Sequence, residues 1–419
     1  MSATPYTRPP VSPGSARPDD AGTRPGASLP WRSALPIVVG MELRQRLRSR
    51  GWYVLLALFF ALVGVTTLGA LGLRGVLAGE MDGSVEADAM MRLAGHSMFD
   101  GVLLFTLTLA LLVAPALAAN AISGDRAGGT LAVTQVTLLT TGQLMVGKWL
   151  AAWVASSAFV AAALPWLVVC AVVGQVPVAS VVVGLVLILV EFAVVTGIGV
   201  AVSAIAGRTL FAVVVTYLVV AALTVGTVVS MVLSLQYMQV TVQANRPDYD
   251  AVSSEAMPPE AVTDEWTEEQ WAQFDETQRA LNPSAYDTIA DRCVGPLQEQ
   301  SVPDGRRVAW LLAPNPYLVL ADAMPWTVVD TRFGVETTPL NALSAVYRRA
   351  QADPRDTVEC LDGQLRGIDS ARPLDREGTW PMWPFGLAMQ GSLLAGLMWW
   401  GHRRLDTPSG RLAPGTRIA

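Results

Sequence analysis

The sequence predicts an all-α integral membrane protein: six transmembrane helices, an amphipathic helix before the first, and a large extracytoplasmic insertion between the fifth and sixth. Three observations predict it. Of the 419 residues 52% are hydrophobic and only 15% charged, too apolar for a water-soluble domain unless the apolar residues are gathered into spans. They are gathered: aliphatic runs nearly free of charge each approach the roughly 20 residues a helix needs to cross about 30 Å of hydrocarbon. In lipid every backbone polar group must be satisfied within its segment or in a closed barrel. The alternating strands of a barrel, about 10 residues each, are not visible, so the spans are helices.

Residues 1–30, rich in Pro, Gly, Ser and Thr and lacking an apolar core, read as a disordered cytoplasmic tail and not as a signal peptide. Residues 31–50 read as an amphipathic helix. Leu35, Val38, Val39, Leu43 and Leu47 share a face, Arg44 and Arg48 flank it, and Glu42 lies in the same stretch. Such a segment suits a membrane interface, its arginines reaching out to water.

Residues 51–235 carry spans one to five, at 52–73, 98–118, 149–173, 177–205 and 210–235, with a cytoplasmic segment at 119–148. Residues 383–401 form the sixth span and 402–419 a cytoplasmic tail. Trp and Tyr at several span ends are interfacial anchors. Positive residues are retained on the cytoplasmic side, and Arg44, Arg46, Arg48 and Arg50 precede the first span while Arg403 and Arg404 follow the last. Both termini are therefore expected in the cytoplasm, and the protein in the cell membrane.

The insertion, 236–382, holds 24 acids against 12 arginines, a net charge of −12 in a chain whose total is −6. Within it, 308–326 is apolar but interrupted by Pro314, Asn315 and Pro316 and carries Asp322, which reads as two short helices at the outer interface. Thr267 with Gln270 fits a capping box opening a helix to about Leu281, and 284–293 reads as another. Cys293 and Cys360 both lie in this segment, where an oxidising compartment permits a disulfide; the alternative is two unrelated thiols.

Little here supports catalysis. The three cysteines and two histidines form no CxxC or HExxH, and no Ser-Lys or paired-Asp arrangement occurs at membrane depth. No catalytic, cofactor-binding or metal-binding residue is assigned, and no nucleic-acid partner is expected. Glu191, in the middle of the fourth span, costs roughly 2.5 to 3.5 kcal/mol on insertion scales. It reads either as facing a translocation path or dimer seam, or as a hydrogen-bonded acid fixing helix packing.

The cytoplasmic segment at 119–148 is the most informative. It passes through Asp125 and Arg126, breaks at Gly128 and Gly129, and restarts at Thr130 as a short helix joined to two spans. The order Asp125, Arg126, Gly129, Thr130, Leu131, Gly147, Lys148 resembles the type-two ABC transporter permease family, the membrane-spanning subunits of ABC exporters. Ala127 and Gly128 depart from the family, which often has a second acidic-basic pair there. The resemblance implies that 31–50 is an elbow helix, with Glu42, Arg44 and Arg48 among its contact residues. It implies that Asp125, Arg126, Gly129, Thr130, Leu131 and Lys148 couple to a separate ABC ATPase subunit. It also implies a second permease protomer, as a homo- or heterodimer. The chain has no GxxxxGK[ST] loop, so ATP and magnesium are expected on the partner. The other reading is a non-transporting membrane scaffold or sensor whose outer domain binds a ligand.

Overall fold

The computed structural model describes residues 29–80, 85–129, 139–247, 293–331, 334–358, 360–362, 364–365 and 379–405. The predicted tail up to residue 28, the helix expected near Thr267, all of the helix expected at 284–293 except Cys293, which opens a strand, and the short helix from Thr130 lie outside the described residues.

The chain is mostly helical. It opens with α1 (Trp31–Leu47), then α2 (Arg50–Glu80), α3 (Val85–Ala118) and the five-residue α4 (Ser123–Ala127). Next come α5 (Thr141–Val173), α6 (Val178–Ile205), α7 (Thr209–Ala221) and α8 (Thr227–Tyr237), the last two joined by a π-helical turn at Ala222–Gly226. Five stretches are long and apolar enough to cross a membrane: Arg50–Val76, Met90–Ala127, Thr141–Val173, Val178–Ile205 and Thr209–Tyr237. The chain is thus a multi-pass membrane protein. The final helix, α11 (Trp383–Leu405), has 23 residues.

α6 is the central helix: every residue from Val194 to Ala204 is buried. α11 lies along it, with Gln390 beside Glu191, Leu394 against Gly197 and Gly401 against Ala204. At the other flank the core is aromatic. Phe159 of α5 meets Trp52 and Phe59 of α2 edge-on, with ring centroids 5.2 and 5.1 Å apart, the geometry that ring quadrupoles favour.

The insertion is where the helical expectation falls short. β1 (Gln239–Pro247) leaves α8 and pairs antiparallel with β2 (Cys293–Pro303), from Gln239↔Pro303 to Pro247↔Cys293. With β5 (Cys360–Leu361) and β6 (Gln364–Leu365) they form a sheet ordered β2-β1-β5-β6; β3 (Val328–Thr331) and β4 (Gly334–Thr337) make a separate hairpin. A small apolar cluster of Val242, Ala244, Val302, Val358 and Leu361 holds the sheet, and a disulfide joins Cys293 to Cys360 with Cα atoms 5.8 Å apart. The period-two signal of Val240, Val242 and Ala244 was present in the sequence. It directly continues the apolar run of α8, which obscured it.

The 308–326 stretch folds as a 3-10 helix (Ala309–Leu312) and α9 (Pro316–Ala323). Neither is long enough to cross a bilayer. α9 presses into the bundle, its Val319, Leu320 and Ala321, with Met324 just beyond, belonging to the same apolar core as α2, α3, α5 and α6, while Leu312 of the 3-10 helix packs in a separate cluster with Met231 of α8. Asp322 fastens this unit. It pairs with Arg348 of α10 (Pro339–Arg349) at 2.7 Å and accepts the Met382 and Trp383 amides, at 2.8 and 3.1 Å, at the start of α11.

Candidate functional site

Besides the Asp322–Arg348 pair, two polar clusters among the described residues bear on the predicted site. The first lies at the end carrying α1 and α4. α5 begins there with a capping box: Thr140 accepts from the Gln143 amide at 3.3 Å while Gln143 Oε1 accepts from the Thr140 amide at 3.0 Å. One turn later, Gly147 lets α1 lie close, because a Cβ there would come within 2.7 Å of Val38. The next residue, Lys148, is 1% exposed and extends its ammonium between two helices. It is 2.7 Å from Asp125 of α4 and in direct contact with Glu42 of α1.

Arg46 completes this junction. It lies 4.0 Å from Glu42 and donates to the carbonyls of Ala151 at 2.8 Å and Leu117 at 3.4 Å. Burial lowers its pKa from the usual guanidinium value, an effect that Glu42 opposes. Two cations thus face two carboxylates, so the junction is neutral, which suits charges held away from water.

α4 and α6 cap each other. Ser203 of α6 accepts the Ile122 and Ser123 amides at 3.0 and 2.9 Å, which opens α4. In return Arg126 donates to the Ala206 carbonyl at 2.7 Å and the Ala204 carbonyl at 3.4 Å, where the end of α6 leaves acceptors unfilled. Gly129, with φ of +70°, takes the left-handed conformation glycine tolerates just beyond α4.

The predicted coupling residues therefore separate. Asp125, Arg126, Lys148 and Glu42 meet around α4, Gly129 ends that unit, and Thr130 and Leu131 lie outside the described residues. Arg44 and Arg48 are exposed on the opposite side of α1. Sequence reasoning missed Arg46 and Ser203 as site residues. Arg46 carried a signal, its spacing of four from Glu42; Ser203 carried none.

The second cluster lies in the middle of the bundle. Gln390 of α11 donates to Glu191 at 3.1 Å and to the Pro314 carbonyl at 3.0 Å. Asn315 donates to the Thr224 carbonyl at 2.7 Å and to Thr227 at 2.9 Å, so it fills the π turn between α7 and α8. Tyr317 donates to Thr108 of α3 at 3.0 Å. The turn at 313–316 therefore bonds α11 and the π turn between α7 and α8 directly, and meets Glu191 of α6 through Gln390. Irregular backbone at such depth is tolerated only when protein or a water-lined cavity surrounds it. Glu191 Oε2 and Gln390 Oε1 are buried and have no partner among the described residues.

A profile of the ABC-2 family transporter proteins matches residues 37–279, more than half of the chain. The chain belongs to the ABC-2 transporter family. No curated protein and no solved structure matches it. ABC-2 permeases are membrane subunits that lack a nucleotide-binding domain and work with an ATPase partner. In this ABC-2 permease the Lys148 junction falls wholly inside the matched region. Gln390, Pro314 and Asn315, which complete the central cluster, fall beyond it.

Proposed function

We propose that the chain is the permease subunit of an ATP-binding cassette exporter, forming the translocation path and docking a separate ATPase that binds ATP and magnesium. In this reading α11 is the sixth crossing, since 23 residues extend roughly 34 Å at 1.5 Å per residue. α1 is the elbow helix and both termini face the cytoplasm. Arg44, Arg48, Arg208, Arg403 and Arg404 support that orientation, because all belong to the end of the bundle bearing α1 and α4. A second protomer completes the path.

The observation that carries this reading is the Lys148 junction. An ATPase pressing on α4 reaches α1 and α5 through one ammonium, and α6 through Arg126 and Ser203. α6 also holds Glu191, so a tilt of this unit passes to the turn at 313–316 in the middle of the bundle. Lys148 is in this account a positioning residue, buried behind the docking surface.

The test is capture of an ABC ATPase of the same cell by the tagged, purified permease, followed by hydrolysis measurements in proteoliposomes. The native chain should capture the ATPase. The Lys148→Met variant should capture it yet lose the permease-dependent change in hydrolysis rate. A folded native chain that captures no ATPase would favour the scaffold or sensor reading.

A further inference from the structure

The membrane stretch Thr209–Tyr237 is two helices that differ in phase. α7 turns Ala212, Thr216 and Val220 into the bundle, and its Tyr217 hydroxyl donates to the Leu112 carbonyl at 2.7 Å. α8 turns Thr227 and Met231 inward. No residue from Ala221 to Gly226 is buried, and the Thr227 amide bonds back to the Ala222 carbonyl, five positions away. This π turn holds one residue more than an α turn.

The extra residue has two places to go. Held in the turn, it keeps Met231 beside Leu312 of the 3-10 helix, in one apolar cluster. Passed along a continuous α-helix, it turns everything after it by about 100° and advances it by about 1.5 Å. Ser230, which is exposed, then takes the place of Met231. Met231 moves out to lipid, where an apolar side chain is at no disadvantage.

Asn315 stands between the two forms. Its amide donates both hydrogens to the turn, to the Thr224 carbonyl at 2.7 Å and the Thr227 hydroxyl at 2.9 Å. Its oxygen accepts from the Tyr317 amide at 3.0 Å and so caps α9. Irregular backbone stripped of a donor is costly at membrane depth, whereas a continuous α-helix satisfies its own backbone. Withdrawing the Asn315 amide therefore favours the continuous form.

We propose that this span is a two-register helix and that Asn315 is the latch holding it in the bulged register. The latch sits on the turn at 313–316, whose Pro314 carbonyl is bonded to Gln390 of α11. Beyond α8 the Met238 carbonyl accepts from the Asp304 amide at 2.6 Å and β1 follows at once, so a change of register moves the insertion. The device lies within this chain and is tested without an ATPase.

The experiment is disulfide crosslinking in the full chain in liposomes, with Leu312→Cys paired either with Met231→Cys or with Ser230→Cys. Cleavage at a protease site placed between residues 248 and 292 then separates two fragments. The native Cys293–Cys360 bridge lies within one of them, so only the engineered disulfide joins the pieces.

The 231–312 pair should form in the native background and the 230–312 pair should not. Asn315→Ser keeps a capping oxygen for α9 but is too short to reach the π turn. It should shift the ratio toward the 230–312 pair by about tenfold, the size of two lost neutral hydrogen bonds. Thr227→Val removes one partner of the latch while keeping its shape; it should shift the ratio the same way by about threefold, and it carries the test where Asn315→Ser does not fold. Deleting Val225 removes the extra residue, and the 231–312 pair should then form with or without Asn315→Ser. An unchanged ratio in both latch variants would overturn the proposal. So would an equal loss of both crosslinks, which is loosening without a change of register, or a ratio that still responds to Asn315→Ser in the chain lacking Val225.

Discussion

The Lys148 ammonium lies 2.7 Å from the Asp125 carboxylate, at the point where a five-residue helix meets the start of a 33-residue one. The same ammonium holds Glu42 on α1. One side chain thus joins three helices that the chain order keeps apart, and its burial makes the junction sensitive to loss of any member.

Lys148→Met should destabilise the folded chain by about 3–5 kcal/mol, because it leaves Glu42 and Asp125 short of a partner. Adding Glu42→Leu to that variant should recover part of the loss, since the uncompensated buried charge is then removed as well. Thermal unfolding in detergent of the two single variants and the double variant checks this. Additive losses would show that the pair is not coupled.

Gly147→Ala should lower stability by about 1–3 kcal/mol, the usual cost of overpacking, since its Cβ meets Val38. Val38→Ala in the same chain should restore much of that loss. Crosslinking between cysteines placed on α1 and α5 gives an independent reading: efficiency should fall in the single variant and return in the double one.

Gln390→Leu should cost about 1–3 kcal/mol by leaving the Pro314 carbonyl and a buried Glu191 without their donor. Glu191→Leu with Gln390→Leu should be milder than Gln390→Leu alone, because the orphaned acid is gone. Limited proteolysis of the insertion reports whether the turn at 313–316 has left the bundle.

Reduction of the Cys293–Cys360 disulfide, or Cys293→Ser, should destabilise the insertion by about 4 kcal/mol on chain-entropy grounds, the bridge closing a separation of 67 residues. The cleavage rate of the insertion by protease, with and without reductant, measures it. The Lys148 junction should keep its stability under the same reductant, since it lies at the far end of the bundle.

The sequence alone determined the long helices, because the length of an apolar run and its lack of charge are local properties. The apolar runs at 98–118 and 177–205 needed no knowledge of their neighbours to be read as helices. The same holds for α1, whose apolar face is periodic, and for the break in 308–326, which Pro314 and Pro316 impose by themselves. It also brought out Asp125, Arg126 and Lys148 as a group, through a resemblance carried by their order.

Only the tertiary structure decided what those residues touch. Lys148 and Glu42 are 106 positions apart, and no local pattern states that they meet. Ser203 became a cap because the end of α6 packs beside the start of α4. The strands β1 and β2 are stabilised by pairing across residues that are distant in sequence. Gln390, a lone amide in an apolar helix, was not read from the sequence as a site residue, because its partners on α6 and in the turn at 313–316 were set by the packing of three separate segments. Spans are legible one segment at a time, whereas buried polar contacts are choices among segments, settled by which donor and acceptor the closed bundle leaves nothing else to bond.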